Sequence, residues 1–361
     1  MKIIIKEGSA KLKIFKTKKI SKKMEVFYNP VMSLNRDISV LLLNAINKKN
    51  MQIADPLAGT GIRSIRFLKE LNRNKIKKIY INDHDKKAIK LIKENLKLNK
   101  IKYKKYNKII INNEDANLFL LNSRGFDYID IDPFGNPNYF IDAACKRIAR
   151  DGILAVTATD TSALSGTFPK ACLRKYWALP RKDAMMHETG LRILIRKIQL
   201  IATQYENALI PIFSYSKEHY MRVFLRNIKR KNIVDKILKQ HGYFDDAGPM
   251  WLGSLWDSKL VIKMYQNAIK NNIFNNNNEL IKFLKIIKEE SKINAVGFYD
   301  LHDVCNKNKI KILQKKEIIK NIIKKLGYKA SNTHFKGEGI RSNITSNELI
   351  KILKRRNSSD M

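Results

Sequence analysis

The amino-acid sequence predicts an α/β protein with a doubly wound, mostly parallel sheet, followed by a smaller C-terminal α+β domain. Short strand-like segments alternate with amphipathic helical patterns between residues 51 and 157. Strands that alternate with crossover helices usually form a parallel sheet covered by helices. Beyond residue 230 the chain becomes richer in lysine and asparagine, which indicates a second module.

The chain opens with a predicted basic β-hairpin and a helix. Residues 2–16 alternate apolar and charged positions around a Gly-Ser pair, a pattern typical of two paired strands. A helix is predicted to run through residues 40–46. Either Ser33 or Asn35 could cap it, because both side chains can accept a bond from a backbone N–H.

The α/β region contains five predicted strands in alternation with helices, and then an antiparallel pair. Apolar residues recur at helical spacing after the first and second strands. A long helix, predicted at about 184–204, precedes the antiparallel pair that would finish the sheet near residue 228. The predicted strands are Gln52–Ala54, Ile76–Ile81, Lys108–Ile111, Phe126–Ile131 and Gly152–Thr157, followed by Ala208–Tyr215 and Tyr220–Asn227.

The remaining residues are predicted to form a small, mainly helical α+β module. Helical patterns cover residues 280–289 and 310–326. We place the domain boundary near residue 230. Residues 1–230 then form the larger domain with its basic hairpin, and residues 231–361 form the smaller one.

The net charge of the chain predicts a polyanionic partner. The 361 residues include 71 Lys plus Arg against 33 Asp plus Glu, a formal net charge of +38. An AT-rich genome would explain part of the lysine excess, but it would not explain why acidic residues are so much fewer than basic ones. A field this positive favours RNA or DNA well ahead of an acidic membrane surface.

Cysteine usage and hydropathy predict a cytoplasmic protein. The three cysteines lie far apart without a CxxC pair, which argues against a disulfide framework or a cysteine zinc site. No stretch approaches the roughly 18 uninterrupted apolar residues of a membrane span. The first residues carry too short an apolar run for a signal peptide.

A glycine-containing loop from Asp55 to Gly61 follows the first of the alternating strands and opens a helix. Gly59 and Gly61 would let the backbone approach a ligand closely, and the helix N-terminus adds donors. The loop is not GxGxxG and lacks the Lys-Ser/Thr of a P-loop, so dinucleotide or triphosphate binding is weakly supported. Its D-x-x-A-G-T-G arrangement resembles the first motif of class I S-adenosylmethionine methyltransferases, although the glycines could serve packing alone.

Acidic residues also follow the next two predicted strands. Asp83 lies where a ribose diol would be held, and Asp115, followed by Ala116, lies where an adenine amino group would be placed. A single acid at a strand end is usually a helix cap, and Asp83 could cap the next helix. Acids after three successive strands instead favour a cofactor site.

The fourth strand ends in Asp132-Pro133-Phe134-Gly135, where proline must stop the strand. This stretch resembles the motif of methyltransferases that modify exocyclic amines. A carboxylate at Asp132 and the backbone carbonyl of Pro133 could accept the amine N–H groups and direct the nitrogen lone pair at a methyl donor. Phe134 could stack on the base. The alternative is a tight turn with no catalytic role.

Taken with motifs elsewhere, these stretches resemble the tRNA guanine-26 N2,N2-dimethyltransferase family, and the compact length resembles its archaeal members. The resemblance spans nearly the whole chain. Beyond the Asp55–Gly61 loop and Asp132–Gly135, it rests on Phe27–Met32 with Asn35–Asp37, Lys175-Tyr176, His187–Arg192, Tyr215 with His219–Arg222, Gly248–Gly253 and Ser331–Phe335.

The resemblance implies a Rossmann-like class I methyltransferase domain, S-adenosylmethionine as cofactor and tRNA as substrate. It implies that Asp132 is the catalytic carboxylate, with Phe27 and Phe134 around the target guanine. The residues implied to contact the methyl donor are Arg36, Arg63, Asp83, Asp115 and Ala116, beside the loop residues Asp55, Gly59 and Gly61.

One departure concerns metal binding. Family members often carry paired cysteines before the Gly-Pro-x-Trp-Leu-Gly segment, whereas residues 241–247 here contain none. We therefore predict no metal, and we favour a monomer. Two alternative functions stay open: methylation of another exocyclic amine of RNA or DNA, such as adenine N6, and a non-catalytic, basic RNA-binding protein.

Overall fold

The N-terminal hairpin and first helix enclose one edge of the fold. The computed structural model describes residues 1–16, 24–103, 108–271, 274, 277–310 and 315–355. Strands β1 (Lys2–Glu7) and β2 (Ala10–Phe15) pair antiparallel, which confirms the predicted hairpin. A single 3-10 turn at Pro30–Met32 leads into α1 (Ser33–Ala45).

The predicted cap of α1 is wrong. Ser33 and Asn35 both lie inside the helix, whose N-cap is Met32 without a side-chain bond. The side chain of Asn29 instead accepts the Val31 N–H and caps the preceding turn. Asn35 is buried, and its amide is used in the site described below.

A seven-stranded sheet forms the centre of the molecule. Its order is β5-β4-β3-β6-β7-β9-β8; β3 to β7 run parallel, whereas β9 is antiparallel to both of its neighbours. The central parallel strands β3 and β6 are buried on both faces, whereas β4 and the edge strand β5 are partly exposed. The strands are β3 (Met51–Asp55), β4 (Ile76–Asn82), β5 (Ile109–Asn112), β6 (Phe126–Ile131), β7 (Ile148–Ala158), β8 (Ala208–Lys217) and β9 (Tyr220–Ile228).

Amphipathic helices connect the strands, which confirms the predicted α/β class and the antiparallel pair that ends the sheet. Two short helices, α6 and α7, lie between β7 and the long helix α8. The connecting helices are α2 (Ile62–Glu70), α3 (Lys86–Leu98), α4 (Ala116–Leu121), α5 (Asn138–Arg147), α6 (Thr161–Leu164), α7 (Pro169–Tyr176) and α8 (Met186–Thr203).

The C-terminal part of the described chain combines helices with short strands. A β10–β11 hairpin follows α9, and β12, β14 and β13 form a small three-stranded sheet. The elements are α9 (Lys231–Leu238), β10 (His241–Phe244), β11 (Ala247–Trp251), α10 (Ser258–Lys270), α11 (Asn277–Glu290), β12 (Tyr299–Asp300), α12 (Leu301–Lys307), α13 (Lys316–Lys325), β13 (Ala330–Asn332), β14 (Gly339–Ser342) and α14 (Ser346–Arg355).

The apolar cores of the described residues do not divide near residue 230, where the composition changes. The large core begins at Ala10, still includes Ile287 of α11 and reaches Phe335. A second core is formed by residues between Leu301 and Leu353, and a small third cluster joins Val26 to α3. The domain boundary near residue 230 stays a prediction.

A buried charge network joins α8 to the C-terminal elements. Arg341 of β14 pairs with Glu188 of α8 at 2.5 Å and with Glu290 of α11 at 3.0 Å. Glu290 also accepts hydrogen bonds of 2.5 Å from the Thr333 hydroxyl and lies 2.5 Å from His334 Nδ1. Burial opposes ionisation of Glu188, but the charges of Arg341 and Arg192 outweigh it and hold the pKa of Glu188 at about 2.

Across the residues that the structure describes, no helix is long and apolar enough to span a bilayer.

Candidate active site

The site lies where the strand order of the sheet reverses. Strand β3 pairs with β4 on one side and with β6 on the other. From β3 the chain first adds β4 and β5 on one side of the sheet, and then β6 and β7 on the other. Ligands of open α/β sheets bind at the carboxyl ends of strands beside such a reversal. Here these strand ends carry the Asp55–Gly61 loop and the Asp132–Gly135 stretch, which the fold brings side by side.

The glycine loop needs its glycines for two different reasons. Gly59 and Gly61 have positive φ angles of +54° and +78°. A Cβ at Gly59 would lie 3.0 Å from the carbonyl oxygen of Phe27, and a Cβ at Gly61 would lie 3.1 Å from Ile92. Gly61 also forms the N-cap of α2, so the loop turns directly into the helix. This is the backbone arrangement that the sequence predicted.

The Gly61→Ala variant should therefore be less stable by about 1–2 kcal/mol, because a side chain in the left-handed region is strained. Chemical denaturation measures this loss, and calorimetry with S-adenosylmethionine, the cofactor that the resemblance implies, should show weaker binding. The matched control is Gly337→Ala. An added Cβ there would meet no described atom within 4 Å. Equal losses in both variants would contradict a special role for the loop.

Asp83 and Asp115, the acids that follow the next two strands, make different contacts. Asp83 Oδ2 accepts the Gly59 N–H at 2.8 Å, and its Oδ1 accepts the Asp85 N–H at 3.0 Å. The cap of α3 is Asp85, so the alternative role of Asp83 as a helix cap is not what the structure shows. Asp115 does cap α4, through N–H groups of its first turn, while its side chain stays exposed.

One residue that the sequence analysis missed holds these loops together. Asn82, fully buried at the end of β4, donates from its amide to the carbonyl oxygens of Pro56 at 3.1 Å and Glu114 at 3.0 Å. Its Oδ1 accepts the Glu114 N–H at 3.1 Å. The loops after β3, β4 and β5 are thereby tied to one side chain. Its only sequence signal was a polar residue at the end of a buried strand.

Asp55 is buried beneath the glycine loop, and the pKa of its carboxyl is raised. Its Oδ2 accepts a 2.6 Å hydrogen bond from the Ser64 hydroxyl. Burial raises its pKa from 3.8 to about 7; Arg63 opposes the shift, whereas the charges of Asp130 and Asp132 add to it. The carboxyl is therefore neutral over much of the acidic range.

The raised pKa predicts a pH-dependent stability difference. Between pH 4 and about 7 the folded chain keeps the Asp55 proton that the unfolded chain has lost, so this residue lowers stability progressively as pH rises through that window. Asp55→Asn lacks this titration. The free energy of unfolding of the variant minus that of the natural chain should rise by roughly 1 kcal/mol per pH unit.

Urea denaturation of both proteins between pH 4.5 and 7.5 measures this difference. The control is Asp127→Asn, because Asp127 lies partly exposed at the opposite end of β6 in an ion pair with Lys48. A difference that stays constant across the pH series would show that Asp55 is not the titrating group.

Arg63 links the predicted cofactor loop to the predicted catalytic carboxylate. It is buried on α2, and its guanidinium donates a short hydrogen bond to Asp132 Oδ2. It also donates to Asn35 Oδ1 at 3.1 Å and to the Ser39 hydroxyl at 3.0 Å, and lies 3.4 Å from Asp130. This arrangement keeps the Asp132 carboxylate beside a cation and fixes its orientation.

A second ion pair beneath Asp132 was also missed. Arg222 of β9 binds both carboxylate oxygens of Asp130, at 2.9 and 2.7 Å, and all of these atoms are fully buried. The Tyr128 hydroxyl donates to Asp130 at 2.5 Å. Burial opposes ionisation of Asp130, but Arg222 and Arg63 outweigh it and lower its pKa. Asp130 therefore keeps a negative charge next to Arg63.

Arg36 lies in a pocket closed by the N-terminal hairpin. Its Nε and Nη2 donate to the two carboxylate oxygens of Glu7 at 2.6 and 2.7 Å, and Nη2 also donates to the Asn29 carbonyl at 3.0 Å. Burial opposes ionisation of Glu7, yet Arg36 and Arg66 hold its pKa at about 2. A contact between Arg36 and the methyl donor stays a prediction.

Two aromatic rings stand beside the carboxylate. Phe27 and Phe134 pack edge to face with centroids 5.5 Å apart, and 38% and 48% of their side chains are exposed. The turn that presents Phe134 is fixed by Thr159, whose hydroxyl accepts the Gly135 N–H at 2.7 Å and whose N–H binds the Gly135 carbonyl at 2.9 Å. The pair offers an open aromatic surface beside the strand end, and its role in binding a base stays a prediction.

The residues at these strand ends fit a nucleoside-containing sulfonium cofactor. Thr60 Oγ1 is buried in the glycine loop with no hydrogen-bond partner among the described residues, so the loop holds a polar atom that a ligand could satisfy. The exposed Asp115 and the buried Ala116 provide a carboxylate beside an apolar contact. Asp83 lies between them and the loop.

No metal centre was found in the described ranges. They contain no group of three or more His, Cys, Asp or Glu side chains arranged to hold an ion. His241 has its Nε2 2.9 Å from Gln199 Oε1. The absence of a metal stays a prediction.

Comparison with known proteins identifies relatives over the full length of the chain. Residues 8–246 and 243–354 match the family described as N2,N2-dimethylguanosine tRNA methyltransferase. The chain is 39% identical to the tRNA (guanine(26)-N(2)/guanine(27)-N(2))-dimethyltransferase of Aquifex aeolicus, covering 96% of this chain and 95% of the relative. It is 37% identical to the tRNA (guanine(26)-N(2))-dimethyltransferase of Methanocaldococcus jannaschii, covering 97% and 98%.

A solved structure shows the same fold. The complex of Trm1 from Pyrococcus horikoshii with S-adenosyl-L-methionine superposes with a TM-score of 0.88 at 36% sequence identity. The match covers 97% of this chain and 99% of that one.

Proposed function

Because the chain belongs to the N2,N2-dimethylguanosine tRNA methyltransferase family, we propose that it transfers methyl groups from S-adenosylmethionine to the exocyclic N2 of guanine 26 in tRNA, giving N2-methyl- and N2,N2-dimethylguanosine. The observation that carries the proposal is the position of Asp132. This carboxylate stands at the carboxyl end of β6, between the glycine loop and the exposed Phe27–Phe134 pair.

Asp132 is proposed to prepare the guanine amine for methylation. The lone pair of an arylamine nitrogen is delocalised into the ring, so the nitrogen is a poor nucleophile. A carboxylate that accepts one N–H, with the Pro133 carbonyl accepting the other, would pull the nitrogen toward tetrahedral geometry and free the lone pair. Arg63 holds the carboxylate oriented through its bond to Asp132 Oδ2.

The methyl donor is proposed to occupy the strand ends on the other side of Asp132. When bound, S-adenosylmethionine supplies an electrophilic methyl group on a sulfonium. Asp83 would hold the ribose and Asp115 with Ala116 would hold the adenine. The residues proposed to contact the remainder of the cofactor are Arg36, Asp55, Gly59, Gly61 and Arg63.

The target guanine must leave its stacked position to reach Asp132. Enzymes that modify a base inside a helical stem extrude it into the active site, where aromatic side chains stack on it. Phe27 and Phe134 are proposed to receive the guanine here. The excess of positive charge would hold the phosphates, with residues 231–361 contributing to tRNA binding in a cytoplasmic enzyme.

The proposal is tested by incubating undermodified tRNA with the protein and labelled S-adenosylmethionine, followed by digestion and nucleoside analysis. Label in N2-methylguanosine and N2,N2-dimethylguanosine is expected. A tRNA with adenosine at position 26 is the matched control and should lose the label. Label in another nucleoside, such as N6-methyladenosine, would overturn the assignment to guanine. Absence of cofactor binding in calorimetry would instead support a non-catalytic RNA-binding protein.

A further inference from the structure

Helix α7, which carries the Lys175-Tyr176 pair of the family resemblance, lies next to the catalytic stretch, although the proposed mechanism does not use it. The Asn138 amide, just beyond the Asp132–Gly135 turn, donates to the Lys175 carbonyl at 2.9 Å. The Lys175 ammonium pairs with Asp160 at 2.5 Å, and the Asp160 N–H in turn reaches the Gly135 carbonyl at 3.3 Å. The helix is therefore fixed to the edge of the sheet where the target base would bind.

Three large apolar residues within or beside this helix are exposed, next to the exposed cations Lys170 and Arg174. Phe168, Leu173 and Trp177 each leave about half or more of their side chains in solvent. We call these three residues the α7 ridge. Leu173 lies within α7, while Phe168 and Trp177 are the residues that flank its two ends. Exposed large apolar side chains grouped beside a functional site commonly mark an interaction surface.

Trp177 has a backbone conformation that bulky residues rarely adopt. It closes α7 in the left-handed region, with φ +57° and ψ +41°, where glycine is the usual residue. Its carbonyl accepts a hydrogen bond from Arg196 at 3.3 Å, and the Lys197 ammonium lies against its ring. A strained, well-supported and exposed aromatic residue is a candidate for function rather than for folding.

The charges around the ridge favour an anionic partner. The segment from Phe168 to Trp177 contains Lys170 and Arg174 and no acidic residue, while its third cation, Lys175, is paired with Asp160. Arg196 and Lys197 add two further cations beneath Trp177. Flat aromatic rings between cations match the bases and phosphates of unpaired nucleic acid. A protein partner would need a large acidic and apolar face to fit the same surface.

We propose that the α7 ridge binds an unpaired nucleotide of the tRNA outside the target position, with its base stacked on Trp177 and its phosphates near Lys170 and Arg174. This inference rests on the proposed function for the identity of the RNA. It adds a second contact that would hold the substrate while the target guanine lies between Phe27 and Phe134.

The fluorescence of the protein provides a direct test. Of the three tryptophans, Trp177 is 51% exposed, whereas Trp251 and Trp256 are 3% and 6% exposed. Quenching by iodide therefore reports mainly on Trp177. Undermodified tRNA should lower the emission and protect the remaining emission from iodide. Unchanged emission and iodide quenching at a tRNA concentration that saturates methylation would overturn the proposal.

The variant Trp177→Gly separates RNA contact from folding, because glycine accepts the backbone conformation of this position without strain. We expect an unchanged or higher melting temperature, unchanged affinity for S-adenosylmethionine and unchanged kcat, with a KM for tRNA raised about tenfold or more. Trp177→Phe should recover most of the affinity. The matched control is Ile269→Ala, which shortens an exposed apolar residue of α10 and should leave KM unchanged.

The two proposals fail in different ways. If Trp177→Gly methylates tRNA with the same KM as the natural chain, the α7 ridge does not bind tRNA, and the proposed function is unaffected. Protection of Trp177 by tRNA without any methylated guanosine supports the ridge and overturns the proposed function. Loss of iodide access as protein concentration rises, without tRNA, would mean that a second copy covers the ridge, and would overturn the RNA contact.

Discussion

Replacing Asp132 with alanine is expected to reduce methyl transfer to tRNA by about a thousandfold or more, while leaving the affinity for S-adenosylmethionine within a few-fold. The variant removes the acceptor that would orient the guanine amine, and losing such a group typically costs 10²–10⁴-fold in rate. Single-turnover transfer of labelled methyl groups measures the rate, and calorimetry measures cofactor affinity.

The fold should tolerate this substitution. Arg63 would lose one partner but keep the hydrogen bonds to Asn35 and Ser39 and its proximity to Asp130. Asp132→Asn, which keeps the shape and removes the charge, should be nearly as slow. Asp127→Ala, at the opposite end of the same strand, is the matched control with an unchanged rate. Loss of cofactor binding together with activity would mean that Asp132 serves cofactor binding or folding instead.

Replacing Arg341 with methionine is expected to lower the free energy of unfolding by about 3–5 kcal/mol, because Glu188 and Glu290 would keep buried charges with too few cations. Urea denaturation followed by circular dichroism measures this change. Lys307→Met is the control, since its pair with Asp303 is exposed and should contribute about 0.5 kcal/mol or less.

A second substitution distinguishes lost charge pairing from lost packing. Adding Glu290→Gln to Arg341→Met removes one of the two buried carboxylate charges that lost its partner, and should recover part of the stability. The double-mutant cycle then gives a coupling energy between the two residues. Purely additive losses would show that the two side chains contribute independently.

The parallel sheet was predictable because its signals are local. Apolar strand segments, helical spacing and the strand-end acids Asp55, Asp83 and Asp115 can each be recognised within a few residues of sequence. Parallel order then places their ends together without knowledge of any side-chain contact. The same argument placed Asp132 beside the glycine loop.

The supporting contacts could not be predicted because they join residues distant in sequence. Arg63 and Asp132 are 69 positions apart, and Arg222 and Asp130 are 92 apart. No periodicity marks such pairs; only the folded sheet brings them together. Arg36 illustrates the same limit, since its ion pair with Glu7 depends on where the N-terminal hairpin docks.

One local signal also misled, and one helix was not predicted at all. Asn35 has the side chain of a helix cap, but its amide is buried inside α1, where it accepts from Arg63 and donates to Thr157. Helix α7 is short, and part of its apolar side is exposed to solvent. A pattern that assumes apolar residues point inward does not identify such a helix.

The single amide of Asn82 has a consequence for the entropy of ligand binding. Three loops that share one buried anchor lose little conformational freedom when a ligand arrives, because their relative positions are already set. Little of the binding free energy at such a site is then lost to ordering the loops. A chain lacking this amide would have to organise the loops anew at each turnover, and would bind the same groups more weakly.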